Sequence, residues 1–227
     1  MTRRRLLTAG SLLAAAVLYA VLWLGWTQDW EWLNRADDAA LNLFVRVADS
    51  RPWWVTGWDV FCIVFSPTAL RVLALVLIVR ELARRNFSTA WFLVLSVELS
   101  GLVTEGAKAL GDRPRPVTQM VSAHNTSFPS GHALGLLVIV FALLIVYGRY
   151  VPPRWRNTVV WLGIGLVVAI GLGRVVLNVH HPSDVLAGWA LGYLYLALCL
   201  WLCPPRGARG GPVSSASGTP AAPDTAT

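Results

Sequence analysis

The chain has 227 residues, of which 56% are hydrophobic and 14% charged, with 12 tryptophans and a formal net charge of +7. A soluble domain of this length cannot bury that much apolar surface, so lipid must cover part of it. The positive balance does not indicate nucleic acid, because the basic residues stand in short groups between apolar runs, which is the pattern of a membrane topology signal.

A helix needs about 20 predominantly apolar residues to span the hydrocarbon. Six stretches qualify in chain order: 6–26, 66–82, 88–110, 132–147, 157–177 and 183–203. The reading is an all-α polytopic membrane protein, a six-helix bundle over residues 1–203. The first stretch follows Arg3, Arg4 and Arg5, and with Ala14-Ala15-Ala16 this start also resembles a secretory signal. The apolar run continues to Trp26, too far for an ordinary signal core, so a retained helix is expected. Residues 29–50 mix charge with Trp30, Leu33, Ala36, Ala40, Leu43, Phe44 and Val47 near helical spacing. This predicts an amphipathic helix lying in the headgroup layer of the outer face.

Arg71 interrupts the second stretch, and residues 53–64 either extend it or lie along the interface. The fourth stretch is short and is expected to begin near Ser130. From Pro204 onward the composition is mostly Pro, Gly, Ser, Ala and Thr, so residues 204–227 are expected to form a disordered cytoplasmic tail. Cys62, Cys199 and Cys203 lie in apolar stretches, where helix packing is the expected role; Cys199-x3-Cys203 lacks the second ligand pair of a zinc site.

Arginines and lysines in short loops set orientation. With six spans, Arg3 to Arg5, then Arg80, Arg84 and Arg85, then Arg149, Arg154 and Arg156, then Arg206 and Arg209 all fall on one side. That side is expected to be the cytoplasm, with both termini there. Arg35, Arg46 and Arg51 on the other side weaken this bias without reversing it.

Three polar clusters break the apolar pattern: Lys108-x6-Arg115-Pro116, Pro129-Ser130-Gly131-His132, and Arg174-x5-His180-x3-Asp184. The topology puts all three at the outer face, although the orientation was set from loop arginines outside them. Lys108, Arg115 and Arg174 are cations of the kind that stabilise charge on a phosphoryl group in transfer, the arginines through a planar fork and the lysine as a point charge. Taken singly, each could equally be a snorkelling interfacial residue. Ser130 and Gly131 stand immediately before a long apolar stretch, where Ser suits an N-cap and Gly lets a backbone approach an anion. An imidazole attacks phosphorus only when neutral and oriented, and Asp184 can orient a neighbouring imidazole. Both His180 and His181 stand near it. Pro182 is expected at the start of the sixth helix, with His180 in the loop before it and Asp184 in the first turn.

In their order and spacing, the three clusters resemble the type 2 phosphatidic acid phosphatase (PAP2) superfamily over residues 93–188. This superfamily includes lipid phosphate phosphatases, prenyl diphosphate phosphatases and soluble vanadium haloperoxidases. The resemblance implies that His180 is the phosphorylated nucleophile, His181 a neighbour, Asp184 the orienting carboxylate and His132 the acid that protonates the leaving oxygen. It assigns Lys108, Arg115, Ser130, Gly131 and Arg174 to phosphate binding. It also implies metal-independent hydrolysis of a membrane lipid phosphate or diphosphate without a cofactor. A polyprenyl (undecaprenyl-type) diphosphate is the first expectation, and phosphatidic acid or phosphatidylglycerol phosphate the alternative. A vanadate-dependent peroxidase is disfavoured by the lipid-bound character of the chain. A non-catalytic lipid-binding or transport protein would not require His132, His180 and Asp184. The expected partners are the bilayer and its lipid phosphate, not nucleic acid.

Gly173 stands where the family commonly has Ser, which removes a hydroxyl from the phosphate site. Asp112 is expected either to pair with Arg113 or to face water. Arg71, Glu98 and Glu105 are the remaining ionisable residues at membrane depth, where a proton or substrate path is one reading; the simpler one is that Glu105, three residues before Lys108, orients that lysine and Arg71 reaches the same carboxylate. The 12 acidic residues are dispersed, without the carboxylate cluster of a two-metal site.

Overall fold

The computed structural model describes residues 3–206. Nine α-helices account for most of them: α1 (Arg3–Thr27), α2 (Glu31–Asp49), α3 (Pro52–Val64), α4 (Pro67–Ala83), α5 (Phe87–Leu93), α6 (Ser100–Gly111), α7 (Gly131–Tyr147), α8 (Pro153–Val176) and α9 (Pro182–Leu202). A π-helical turn, Val94–Glu98, links α5 to α6, and a 3-10 turn, Gly148–Tyr150, ends α7. No strand occurs among the described residues. Six helical stretches are long and apolar enough to cross a bilayer: Arg5–Thr27, Pro52–Ala83, Phe87–Gly111, Gly131–Tyr150, Pro153–Val176 and Pro182–Leu202. The protein is a multi-pass membrane protein. Of the tail expected from Pro204, residues 207–227 lie outside the described residues.

The six stretches match the sequence reading, with two refinements. Residues 53–64 extend the second span as α3, and the chain breaks between α3 and α4 at Ser66-Pro67. Pro67 has no N–H to continue the helical ladder, and the extended Ser66 caps α4 by accepting from the Ala69 N–H through its hydroxyl at 3.2 Å. The third span is interrupted by the π turn, where Ser96 and Ser100 hydroxyls donate to the Phe92 and Val97 carbonyls at 2.6 and 2.7 Å.

The core lies where α7 packs on α9, α8, α4 and the third span. Leu134, Val138, Ile139 and Ala142 of α7 meet Phe92, Leu93, Val97 and Leu196 in its largest cluster. The α7–α9 crossing is close because α9 carries Gly188 and Gly192: a Cβ on Gly188 would lie 2.6 Å from the Ser130 carbonyl oxygen, and one on Gly192 3.0 Å from that of Leu134. Small residues four apart let two membrane helices approach to backbone contact. This contact brings the start of α7 against the start of α9. The Ser130 N–H donates to the Asp184 carbonyl at 2.9 Å.

At the opposite end, Arg149 donates to the Arg206 carbonyl (2.9 Å) and Ser88 to that of Pro204 (2.8 Å). The arginine-bearing loops therefore gather away from the three polar clusters.

The amphipathic segment is the helix α2, but its inward face differs from the apolar stripe expected. Leu33, Asp37 and Leu41 are buried, one helical turn apart, while Leu43 is half exposed. A charge thus lies at the centre of the buried face, and its partners explain why.

Candidate active site

The three clusters line one cavity of about 800 Å3, whose wall includes Lys108, Arg115, Gly131, His132, Arg174 and His180. Lys108 ends α6 and Arg174 ends α8, so both present their side chains at the mouth of the bundle. His132 opens α7, and His180 lies in the short loop between α8 and α9. Asn178 enables that loop by adopting φ 52°, and its amide donates to Thr118 Oγ1 (2.9 Å) and the Leu41 carbonyl (3.2 Å).

None of Lys108, Arg115 and Arg174 forms an ion pair among the described residues. Lys108 donates to the Thr126 carbonyl rather than pairing with Glu105. The fork of Arg115 ties its own loop to the one before α9, donating to the carbonyls of Asn125 (3.0 Å), His124 (2.7 Å) and Val179 (2.6 Å). Its Nη1 also stands 3.4 Å from His180 Nε2. Burial, and then the charge of Arg174, hold the Arg115 pKa below its ordinary value, partly offset by Asp184. Arg174 is buried and its Nε has no hydrogen-bond partner. Three cations short of countercharge in a partly dry cavity make a strong anion site.

Ser130 occupies the N-cap position of α7, yet its hydroxyl does not cap the helix and is buried without a partner. The first-turn N–H groups of α7 are orphans of any helix start. A Cβ on Gly131 would lie 2.9 Å from Thr104 Cγ2, so the tight junction of α6 and α7 calls for glycine there.

His180 is buried, 2% exposed, with Nε2 on the Arg115 side and Nδ1 3.5 Å from Asp184 Oδ2. That separation falls short of a hydrogen bond, and Nδ1 has no other partner. Burial pushes the His180 pKa down to about 4, against the opposing pull of Asp184, so its imidazole is neutral at pH 7. His181 competes for the same oxygen: its backbone N–H and Nδ1 lie 2.8 and 3.2 Å from Asp184 Oδ2. Asp184 therefore caps the start of α9 as well as facing His180. Pro182 begins the helix, as its fixed φ predicts.

Arg113 and its partner Asp37 are the members of this assembly that the sequence reading missed. Arg113 Nη1 donates to Asp184 Oδ1 (2.8 Å) and Ser183 Oγ (2.7 Å), and its Nη2 to Asp37 Oδ2 (2.9 Å). Asp37 also accepts from the Ser183 N–H (3.0 Å) and hydroxyl (2.5 Å). The guanidinium stacks 4.9 Å from the Trp26 ring, whose Nε1 donates to the Gly111 carbonyl at 2.7 Å. Asp112 does not pair with Arg113: it adopts φ 39° as the C-cap of α6 and is exposed. The signal for Arg113 was the first of the two Arg-Pro pairs in Arg113-Pro114-Arg115-Pro116, but no pattern paired it with a residue 76 positions away.

Gly173 also has a local cause. A Cβ there would meet Cys62 Sγ at 2.7 Å and Trp58 at 2.9 Å, so α3 fills the place a serine side chain would take.

The PAP2 superfamily model matches residues 89–208, which contain all three clusters. The chain belongs to the PAP2 superfamily. An undecaprenyl-diphosphatase of Sulfolobus acidocaldarius is 42% identical over 67 residues, covering 29% of this chain and 28% of that protein. A lipid A 1-phosphatase of Rhizobium johnstonii is 34% identical over 114 residues (44% of this chain, 42% of that protein). Phosphatidylglycerophosphatase B of Bacillus subtilis is 30% identical over 90 residues (38% and 44%). This chain thus matches less than half the length of each of these relatives. A solved structure, that of a transmembrane PAP2-type phosphatidylglycerolphosphate phosphatase from Bacillus subtilis, superposes with a TM-score of 0.72. The superposition covers 85% of this chain and 95% of that one at 22% identity, which shows a shared PAP2 fold.

Proposed function

We propose that this protein hydrolyses a membrane lipid phosphate or diphosphate through a phosphohistidine, with a polyprenyl diphosphate as first substrate. The observation that carries the reading is a buried, neutral His180 whose Nε2 faces Arg115 in a cavity shared with His132, Lys108 and Arg174. His180 Nε2 attacks the terminal phosphorus and forms a P–N bond as the P–O bond to the lipid-bearing oxygen breaks. His132 gives that oxygen its proton. Water then attacks the phosphorus, the P–N bond breaks, and the water proton returns to His132, leaving lipid product and inorganic phosphate. Lys108, Arg115 and Arg174 stabilise the charge on the transferring group, with help from the Ser130 hydroxyl and the start of α7. Asp184 Oδ2, facing Nδ1 at 3.5 Å, orients the His180 ring through its charge.

The arginine-bearing loops at the opposite end support a cytoplasmic location for that end, with the site at the outer face. The lipid keeps its tail in the bilayer and its headgroup in the cavity. Purified protein assayed for phosphate release from a lipid phosphate panel, with and without EDTA, tests the reading. Release that survives EDTA and disappears in His180→Ala supports it. An undiminished His180→Ala enzyme overturns it.

A further inference from the structure

The cavity has a fourth cation that belongs to none of the three clusters. Arg71 of α4 lines the cavity. Its Nε donates to the Val97 carbonyl in the π turn (3.3 Å) and its Nη2 to Ser100 Oγ at the start of α6 (2.9 Å). Its Nη1 carries no hydrogen bond and the side chain no ion pair among the described residues. Glu98 is the nearby carboxylate that acts on it, without direct contact. The expected reach to Glu105 is not made. An unpaired arginine at membrane depth is costly unless something anionic completes it.

Its height in the cavity can be read against α7. The guanidinium sits 3.5 Å from where a Cβ of Gly135 would stand, whereas Lys108 Cε is 4.0 Å from that of Gly131. Gly131 and Gly135 are one turn apart, about 6 Å along the helix. Arg71 therefore lies about one turn deeper along α7 than Lys108. A phosphoryl group seated at Lys108, Arg115 and Arg174 leaves Arg71, deeper in the same cavity, to meet a second one on the same lipid. Asp59 and Glu105, also in the wall, set two carboxylates against the four cations.

We propose that Arg71 binds a second phosphoryl group on the leaving side of the scissile bond, so that the site favours lipids carrying one. The inference rests on the hydrolase reading above. The adjacent phosphoryl groups of a diphosphate and the glycerol-separated pair of phosphatidylglycerol phosphate both carry the chemistry.

The test uses the full-length protein in detergent with two matched pairs: farnesyl diphosphate against farnesyl monophosphate, and phosphatidylglycerol phosphate against phosphatidic acid. The wild-type enzyme should prefer the doubly phosphorylated member of at least one pair. Arg71→Gln should lower kcat/KM for that member by about tenfold to a hundredfold, the value of a hydrogen bond to a charged group. The single-phosphate partner should change by less than about threefold, and Arg71→Lys should recover part of the loss because it keeps the charge. The pair that loses its preference identifies the second phosphoryl group. Equal losses on both members of each pair would mean that Arg71 only braces the π turn, and would overturn the inference, as would a wild-type enzyme without preference. No phosphate release by wild type from any of the four lipids would overturn the hydrolase reading itself, and the inference with it.

Discussion

Replacing Arg113 by Met tests whether the buried network behind Asp184 holds the site. Arg113, Asp37 and Asp184 are 3%, 2% and 0% exposed at the side chain, so solvent cannot take over any of their bonds. Methionine keeps the apolar stem but removes three charge-assisted hydrogen bonds and the contact with Trp26. It leaves two carboxylates without their shared cation. Breaking a buried pair by deleting one partner costs about 3–5 kcal/mol. The upper part of that range is expected here because two anions are stranded. Asp37→Asn is milder, about 1–2 kcal/mol, since Arg113 keeps Asp184 and the amide still accepts from Ser183.

The double variant should cost less than the sum of the two, with a coupling of about 2 kcal/mol, because the second change removes one of the stranded charges. The assay is reversible unfolding in mixed micelles of rising SDS fraction, with phosphate release measured in the folded range. Arg113→Met should lose most of its turnover even where folded, since Asp184 would no longer be held on its Oδ1 side. Stability changes that add within about 0.5 kcal/mol would refute the coupling. Full turnover in folded Arg113→Met would refute the link from Arg113 to the His180 site.

The depressed His180 pKa of about 4 predicts that the acid limb of kcat/KM, corrected for substrate titration, lies below about pH 5 rather than near the ordinary imidazole value of about 6.5. The folded state binds this proton more weakly than the unfolded chain. The stabilising contribution of His180 is therefore complete above pH 6.5 and is lost as pH falls toward 4, which unfolding measured across that window would register. His132→Ala should slow release from a lipid alkoxide far more than from nitrophenyl phosphate, whose leaving group needs little protonation; equal losses would count against the acid role. Vanadate should inhibit competitively, because its five-coordinate form imitates the transferring phosphoryl group, and Arg174→Ala should weaken that inhibition. With Cys62, Cys199 and Cys203 first replaced by Ala, cysteines placed at the fully exposed Val117 or at Ser122 should react with an impermeant thiol reagent in intact cells or spheroplasts. Cysteines at Arg84 or Pro152 should react only after permeabilisation, and the reverse pattern would move the site to the cytoplasm.

The spans were legible because hydrocarbon imposes one rule on every residue of a crossing helix, and the chain obeys it in six places. The three clusters were legible because each is local: Lys108 to Pro116, Pro129 to His132, Arg174 to Asp184. Their placement at one membrane face followed from parity of the spans. Details of contact were less accessible. Lys108 is held by the Thr126 carbonyl and not by Glu105, because loop backbone folds over it. The Ser130 hydroxyl stays free where a cap was expected. Gly173, which reads as a missing hydroxyl, sits where Cys62 and Trp58 leave no room for one.

The least legible feature was Asp37. In sequence it is one of the charges on an amphipathic segment, and such charges ordinarily face water or headgroups. Its burial depends on Arg113, in the loop after α6, and Ser183, in the first turn of α9, both far from it in sequence. No hydrophobic period can encode that, since the period registers which faces are apolar and not which charges will find partners. The consequence is that α2 does more than rest on the membrane. Asp37, Leu41 and the bond from Asn178 tie it to the loop that carries His180, so an element that reads as surface ballast is part of the frame of the site.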